Sequence, residues 1–176
     1  QRVLLLTHVK ELIAQNYDKL MTLWPDAPAG IYSAGLKRRD TDHDIIFAGI
    51  QSVHKRATEI GHIDLVIIDE CHLVPKSGIG MYLRFLKTME VINPKIRVVG
   101  LTATPYRLNS GSLIEGQDRL FTDIAYDVDV MQLVNDGYLS PLVAKAMDAE
   151  FDLSGIHTRA GDYKADELHK LTESDA

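Results

Sequence analysis

Five short runs of apolar, largely β-branched residues alternate in this chain with longer segments of helical periodicity, and that alternation leaves few folds open. The runs cover residues 3–6, 30–32, 44–48, 65–68 and 97–101, with a weaker one at 140–145. Between them the pattern predicts helices over 8–23, 51–59 and 80–91, and a shorter one over 130–136. In the first of these, Leu12, Ile13, Asn16, Leu20 and Leu23 fall on roughly one helical face. Strand and helix in regular succession are the mark of βαβ units around a parallel sheet. Strands that are apolar along their whole length require cover on both sheet faces.

Composition narrows the class. At 176 residues and 45% hydrophobic, the chain can bury a substantial core. No apolar run approaches the roughly 20 residues that span a bilayer. The opening Val3-Leu4-Leu5-Leu6 is too short for a secretory signal and reads as a buried strand. A single cysteine, Cys71, excludes an internal disulfide and a multi-cysteine metal site, and fits a reducing cytoplasm. The seven histidines show no His-x-x-x-His spacing, which argues against zinc. The net charge of −6 is unevenly spread: residues 147–176 hold eight acidic and three basic side chains, residues 1–146 hold 17 and 16. A nearly neutral body has little general attraction for phosphate, so any nucleic-acid binding has to come from a local groove. The organisation expected is one domain over 1–146 and a connector over 147–176, with a short amphipathic helix near 165–171.

The most informative stretch is Leu65-Val66-Ile67-Ile68-Asp69-Glu70-Cys71-His72. A buried parallel strand here delivers two adjacent carboxylates at its C-terminal end, the sheet edge where open α/β folds bind ligands. If the backbone turns there, both can face one crevice. One carboxylate can hold Mg²⁺, directly or through water, and the next can orient and deprotonate an attacking water. A strand ending in two solvated acids is the plain alternative, against which the apolar approach and the Cys-His that follows both weigh. Cys71 and His72 as nucleophile and base are disfavoured, because sequence neighbours rarely meet in that geometry.

A second apolar strand ends in Leu101-Thr102-Ala103-Thr104-Pro105, some thirty residues further on. Small hydroxyl side chains there can bond neighbouring carboxylates and backbone without filling a crevice, and proline stops the strand. Alone this is an ordinary strand-end turn. Paired with the acid strand it becomes a constellation. Of the other residues, Lys37-Arg38-Arg39 is the densest basic cluster, either a solvated loop or a phosphate contact.

Asp69-Glu70-Cys71-His72 followed by Thr102-Ala103-Thr104 resembles motifs II and III of superfamily 2 helicases, the DEAD/DEAH group with RecA-like lobes, here as a DECH box. The resemblance extends to His8-Val9-Lys10-Glu11-Leu12, where that group usually has Pro-Thr-Arg-Glu-Leu, to the glycine turn Tyr32-Ser33-Ala34-Gly35, and to Ala48-Gly49-Ile50-Gln51-Ser52. His8 stands for proline, Lys10 for arginine, and Gly49 for a threonine whose hydroxyl it lacks. The wording of these segments, with Gly137-Tyr138-Leu139-Ser140-Pro141-Leu142, is similar to RadD-type DNA-repair helicases of bacteria and their phage relatives; type I restriction motor subunits share several pieces.

The resemblance implies an α/β, RecA-like parallel sheet with helices on both faces, without the phosphate-binding strand–helix unit Gly-x-x-x-x-Gly-Lys-Thr. It implies ATP and Mg²⁺ as cofactors, Asp69 in the Mg²⁺ shell, and Glu70 as catalytic base. His72, Thr102, Ala103 and Thr104 would couple nucleotide state to nucleic acid, DNA rather than RNA. His8, Lys10, Gly35, Gly49, Gln51 and Ser52 would touch the sugar-phosphate backbone of one strand. Without the phosphate loop and an arginine-bearing second lobe, the chain alone is expected neither to hydrolyse ATP nor to unwind a duplex. The alternative from another class is a non-enzymatic nucleic-acid-binding module.

Overall fold

The computed structural model describes residues 1–75, 80–104, 106–107, 111–116, 119–141, 158–159 and 162–163. The chain divides into two compact units, Gln1–Thr122 and Asp123–Ala176.

The first unit is built on strands β1 (Val3–Thr7), β2 (Ala29–Ser33), β3 (Arg38–Arg39), β4 (Ile45–Gly49), β5 (Leu65–Ile68) and β6 (Arg97–Gly100), with helices α1 (Lys10–Leu23), α2 (Ile50–Val53), α3 (Ala57–Ile60) and α4 (Met81–Ile92). The strands form one sheet in the order β3-β2-β4-β1-β5-β6. All neighbours are parallel except β3, which runs antiparallel to β2. The expected α/β architecture, a mostly parallel sheet with helices, is what the chain adopts.

Alternation along each strand sorts the core into two layers. Leu4, Leu6, Tyr32, Ile46, Ala48, Val66 and Ile68 face α2, α3 and α4, whose Ile50, Val53, Ile60, Phe85 and Met89 complete that layer. Phe47, Ile31 and Ala29, with Leu5 and Ile45, face α1 through Ile13, Tyr17, Leu20 and Met21. Helices thus cover both faces. Cover on the α1 side is uneven, however: Val99 of β6 and the following Leu101 are 43% and 52% exposed.

The expected elements differ from the observed ones mainly at their ends. Helix α1 begins at Lys10 rather than residue 8, because Val9 is extended and its N–H donates to Thr7 Oγ1 (3.4 Å). The single helix expected over 51–59 is two short ones that keep the same face buried. Arg56, at φ −128° and ψ 26°, lies outside helical geometry and separates them. Strand β3 falls within the basic cluster Lys37-Arg38-Arg39, for which the sequence predicts no strand. Arg38 there is committed within the fold: its guanidinium donates to Asp40 Oδ2 and lies 5.0 Å from the Tyr17 ring centroid. A small antiparallel pair, β7 (Tyr106–Arg107) with β8 (Gly111–Ser112), completes the unit.

In the second unit, α5 (Val130–Asn135) is capped by Asp129, whose Oδ1 accepts the Met131 N–H (2.6 Å). The chain leaves it through Gly137 at φ 77°, a left-handed conformation glycine adopts without strain. Strands β9 (Thr158–Arg159) and β10 (Asp162–Tyr163) pair antiparallel. Of the weak strand expected over 140–145, Ser140 and Pro141 are not in a strand, and the rest lies outside the described residues. The expected boundary at Ala146 and the helix near 165–171 also lie outside them.

Candidate active site

Parallel register creates the site. Ala48, Leu6, Ile68 and Gly100 are paired across β4, β1, β5 and β6. One residue further, Gly49, Thr7, Asp69 and Leu101 therefore leave the sheet side by side at its C-terminal edge. Backbone bonds continue the ladder past the strands: Asp69 N–H donates to Leu6 O (2.9 Å), Leu101 N–H to Ile68 O (2.9 Å) and Cys71 N–H to Leu101 O (3.0 Å).

Beyond Asp69 the backbone turns sharply. Glu70 sits at φ 50° and ψ 49°, and Cys71–Leu73 form one 3₁₀ turn. A non-glycine residue in this region costs roughly 1 kcal/mol or more and persists where the surroundings hold it. Its own N–H donates to Asp69 Oδ1 (3.1 Å). Asp69 lines an apolar cleft of about 380 Å³ between α1 and the sheet, with Thr7, Lys19, Ile67 and Leu101, while Glu70 is not among the lining residues. Glu70 instead meets His72, its Oε2 lying 3.2 Å from Nδ1.

The same His72 nitrogen is 2.9 Å from Thr102 Oγ1. That hydroxyl also accepts the Thr104 N–H (3.0 Å) and lies 3.1 Å from Thr104 O. Glu70, His72, Thr102 and Thr104 therefore form one polar chain joining the end of β5 to the end of β6. His72 Nδ1 thus faces a carboxylate of the β5 end and a hydroxyl of the β6 end at once. Ala103 is exposed between the two threonines. Behind the acid segment, Tyr82 of α4 is buried; burial, then the nearby Asp69 and Cys71, push its hydroxyl pKa well above the usual tyrosine range.

The other sequence-predicted residues gather on one rim of this edge. Gln51 Nε2 donates to His8 O (2.8 Å), and Ala34 N–H donates to Ser52 Oγ (2.9 Å). Gly35 lies against the Lys10 side chain: a Cβ there would stand 3.3 Å from Lys10 Cδ. Lys10 is exposed and 3.6 Å from Glu11. Gly49 precedes α2, and a Cβ on it would come 3.2 Å from Ile13 Cδ1, so a side chain at that position crowds α1. His8 takes part through its carbonyl; its Nδ1 is buried with no hydrogen-bond partner among the described residues. The sequence reading did not foresee Thr7, buried at the root of the rim and accepting the Val9 N–H, nor the Cys71–Leu101 backbone bond. Their signal was only that β1 and β6 end where the motifs begin.

Among the described residues no group of three or more His, Cys, Asp or Glu side chains converges as a metal site, and no helix is long and apolar enough to cross a membrane.

A mostly parallel six-stranded sheet with helices on both faces is consistent with an α/β RecA-like helicase lobe. The chain belongs to the family described as type III restriction enzyme, res subunit, which residues 1–107 match. It is also 26% identical over 170 residues to a Saccharomyces cerevisiae protein named "Putative ATP-dependent helicase IRC3". That alignment takes in 96% of this chain and 24% of the yeast protein, so the chain spans about a quarter of its relative's length. Both likenesses fall within a helicase superfamily.

Proposed function

We propose that this chain is part of a superfamily 2 helicase or translocase that hydrolyses ATP with Mg²⁺ to move along nucleic acid, DNA in preference to RNA. Residues 1–146 are read as the first RecA-like lobe and 147–176 as a connector toward a second. Work in the cytoplasm in DNA repair, nearest to RadD-type enzymes and next to restriction motor subunits, is the reading the motif wording supports. The restriction-enzyme description of the family favours DNA.

One observation carries the proposal: His72 Nδ1 lies within 2.9 Å of Thr102 Oγ1 and 3.2 Å of Glu70 Oε2. This is a direct connection between the acid that handles water and the strand end that leads away from it. Asp69 fits the metal role, because Mg²⁺ at phosphate-transfer sites is held by one or two carboxylates, with phosphate oxygens and water supplying the rest. Mg²⁺ there would neutralise charge on the transferring phosphate. Glu70 orients the attacking water and takes its proton. His72 holds Glu70, and Thr102, Ala103 and Thr104 carry the nucleotide state toward the nucleic acid. The rim of His8, Lys10, Gly35, Gly49, Gln51 and Ser52 is proposed to lie along one strand's sugar-phosphate backbone. Main-chain N–H groups at such strand-to-helix junctions suit phosphate without reading sequence.

Turnover is proposed to need a Gly-x-x-x-x-Gly-Lys-Thr loop and an arginine-bearing second lobe, neither of which is within these 176 residues. The test is Glu70→Gln in the whole protein, with phosphate release followed with and without single-stranded DNA. General-base loss should lower DNA-stimulated turnover on the order of 10²–10⁴-fold, with Mg-ATP binding retained. Near-normal turnover would remove Glu70 from the base role. No DNA-stimulated turnover in the unmodified protein would favour the non-enzymatic binding module.

A further inference from the structure

Gly100 is the last residue of β6 and lies directly under the acid-bearing turn. A Cβ built on it would stand 2.4 Å from Phe121 Cζ, 2.6 Å from Cys71 Sγ and 2.9 Å from Cys71 Cβ. Side-chain carbons essentially never approach others within 3.0 Å, so something would have to move. Phe121 Cζ is the tip of a ring that can rotate away. Cys71 Cβ is one bond from the backbone and has no such freedom. Cys71 is moreover 2% exposed and part of the main core layer, and its N–H is tied to Leu101 O at 3.0 Å.

These contacts sit one residue from the polar chain on the Cys71 side and two residues from it on the Gly100 side, where Leu101 O holds the Cys71 N–H. His72 follows Cys71, and Thr102 follows Leu101. The Cys71–Gly100 approach therefore sets how far the two strand ends stand apart where His72 meets Thr102. That pair, at 2.9 Å, has little slack, since bonds of this kind weaken beyond about 3.2 Å. We infer that Gly100 is a positioning residue: its bare Cα, against Cys71, is the spacer that keeps His72 within reach of Thr102. The spacing stands on the geometry alone; its consequence for coupled ATP turnover rests on the function proposed above.

The test uses Gly100→Ala, read first by ¹⁵N NMR of the histidine side chains in this chain. The imidazole resonances of His72 are expected to shift as they do in Thr102→Ala, with the other six histidines unmoved. The double variant Gly100→Ala/Thr102→Ala should add nothing further at His72. Gly100→Ala/Phe121→Leu removes the ring contact and leaves the Cys71 contact, so it keeps the test informative if the single variant does not fold. Phe121→Leu alone should leave His72 as it was. An unchanged His72 in a folded Gly100→Ala chain overturns the inference, as does failure of both Gly100 variants to fold, which would assign the contact to the core alone.

In the whole protein, Gly100→Ala is then expected to lower the ratio of DNA-stimulated to basal ATP turnover on the order of tenfold, since misplacement of about 1 Å can cost a hundredfold. A shifted His72 with no DNA-stimulated turnover in the unmodified protein would overturn the functional reading and leave the spacer standing. A shifted His72 with an unchanged ratio would overturn the coupling role of Gly100.

Discussion

Asn93 ties the end of α4 to the chain entering the acid strand, and removing its side chain should weaken the whole sheet edge. Asn93 is a polar residue at 8% exposure. Its Nδ2 donates to Ile63 O at 2.8 Å, and its Oδ1 accepts the Lys95 N–H at 3.0 Å. The two bonds are not equal. Lys95 is exposed, so in Asn93→Ala water replaces the lost acceptor at little cost. Ile63 is fully buried, and its carbonyl would lose this donor in an apolar surrounding. Removing one partner so that a buried group is left unpaired costs about 1–3 kcal/mol. Asn93→Ala should therefore destabilise by about 1–3 kcal/mol. Urea unfolding followed by circular dichroism and by Trp24, the one tryptophan, measures this directly. The midpoint should fall with the slope unchanged. A loss below about 0.5 kcal/mol, the level of an ordinary surface substitution, would refute the reasoning and mean that Ile63 O finds another donor.

Two pH-dependent predictions follow from charged and buried groups. Tyr82, shifted upward by burial and then by Asp69 and Cys71, and Tyr32, shifted upward by burial and then by its bond to Glu59 (2.8 Å), are neutral when folded. Their stabilisation is complete below about pH 10 and lost as pH rises toward their folded-state values, at about 1.4 kcal/mol per pH unit for each group. Tyr82→Phe should flatten that alkaline loss in a pH series of urea midpoints; an identical slope counts against burial of the hydroxyl. Asp40 moves the other way. Burial raises its pKa, but the Ile31 N–H and the Arg38 guanidinium outweigh burial and hold it below the usual carboxylate range. Its contribution, about 1 kcal/mol for a partly exposed pair, is present above about pH 4 and lost as pH falls through the folded-state value. Asp40→Asn should remove that acid-limb dependence, and an unaltered limb would show that the Arg38 pairing does not stabilise the fold.

Local signals carried much of this protein. The strand Leu65–Ile68 was legible residue for residue, because four consecutive apolar positions followed by two acids admit little else. Helix α4 was legible within one residue, since Tyr82, Phe85 and Met89 repeat at the helical period. The α/β class followed from that alternation, and the composition of the strand ends marked where chemistry would lie. What only tertiary structure decided are relations between distant residues. Strand β3 is two residues long and exists by pairing with β2, so its own sequence held no sign of it. Arg38, legible as a free basic group, is held by Asp40 and Tyr17. The left-handed turn at Glu70 was not legible in its sequence, and the meeting of His72 with Thr102 across 30 positions comes from β5 and β6 lying side by side in register. The physical reason is range. Period and propensity act over a few residues, whereas strand order, register and the close approach at Gly100 are set when apolar faces far apart in sequence find each other.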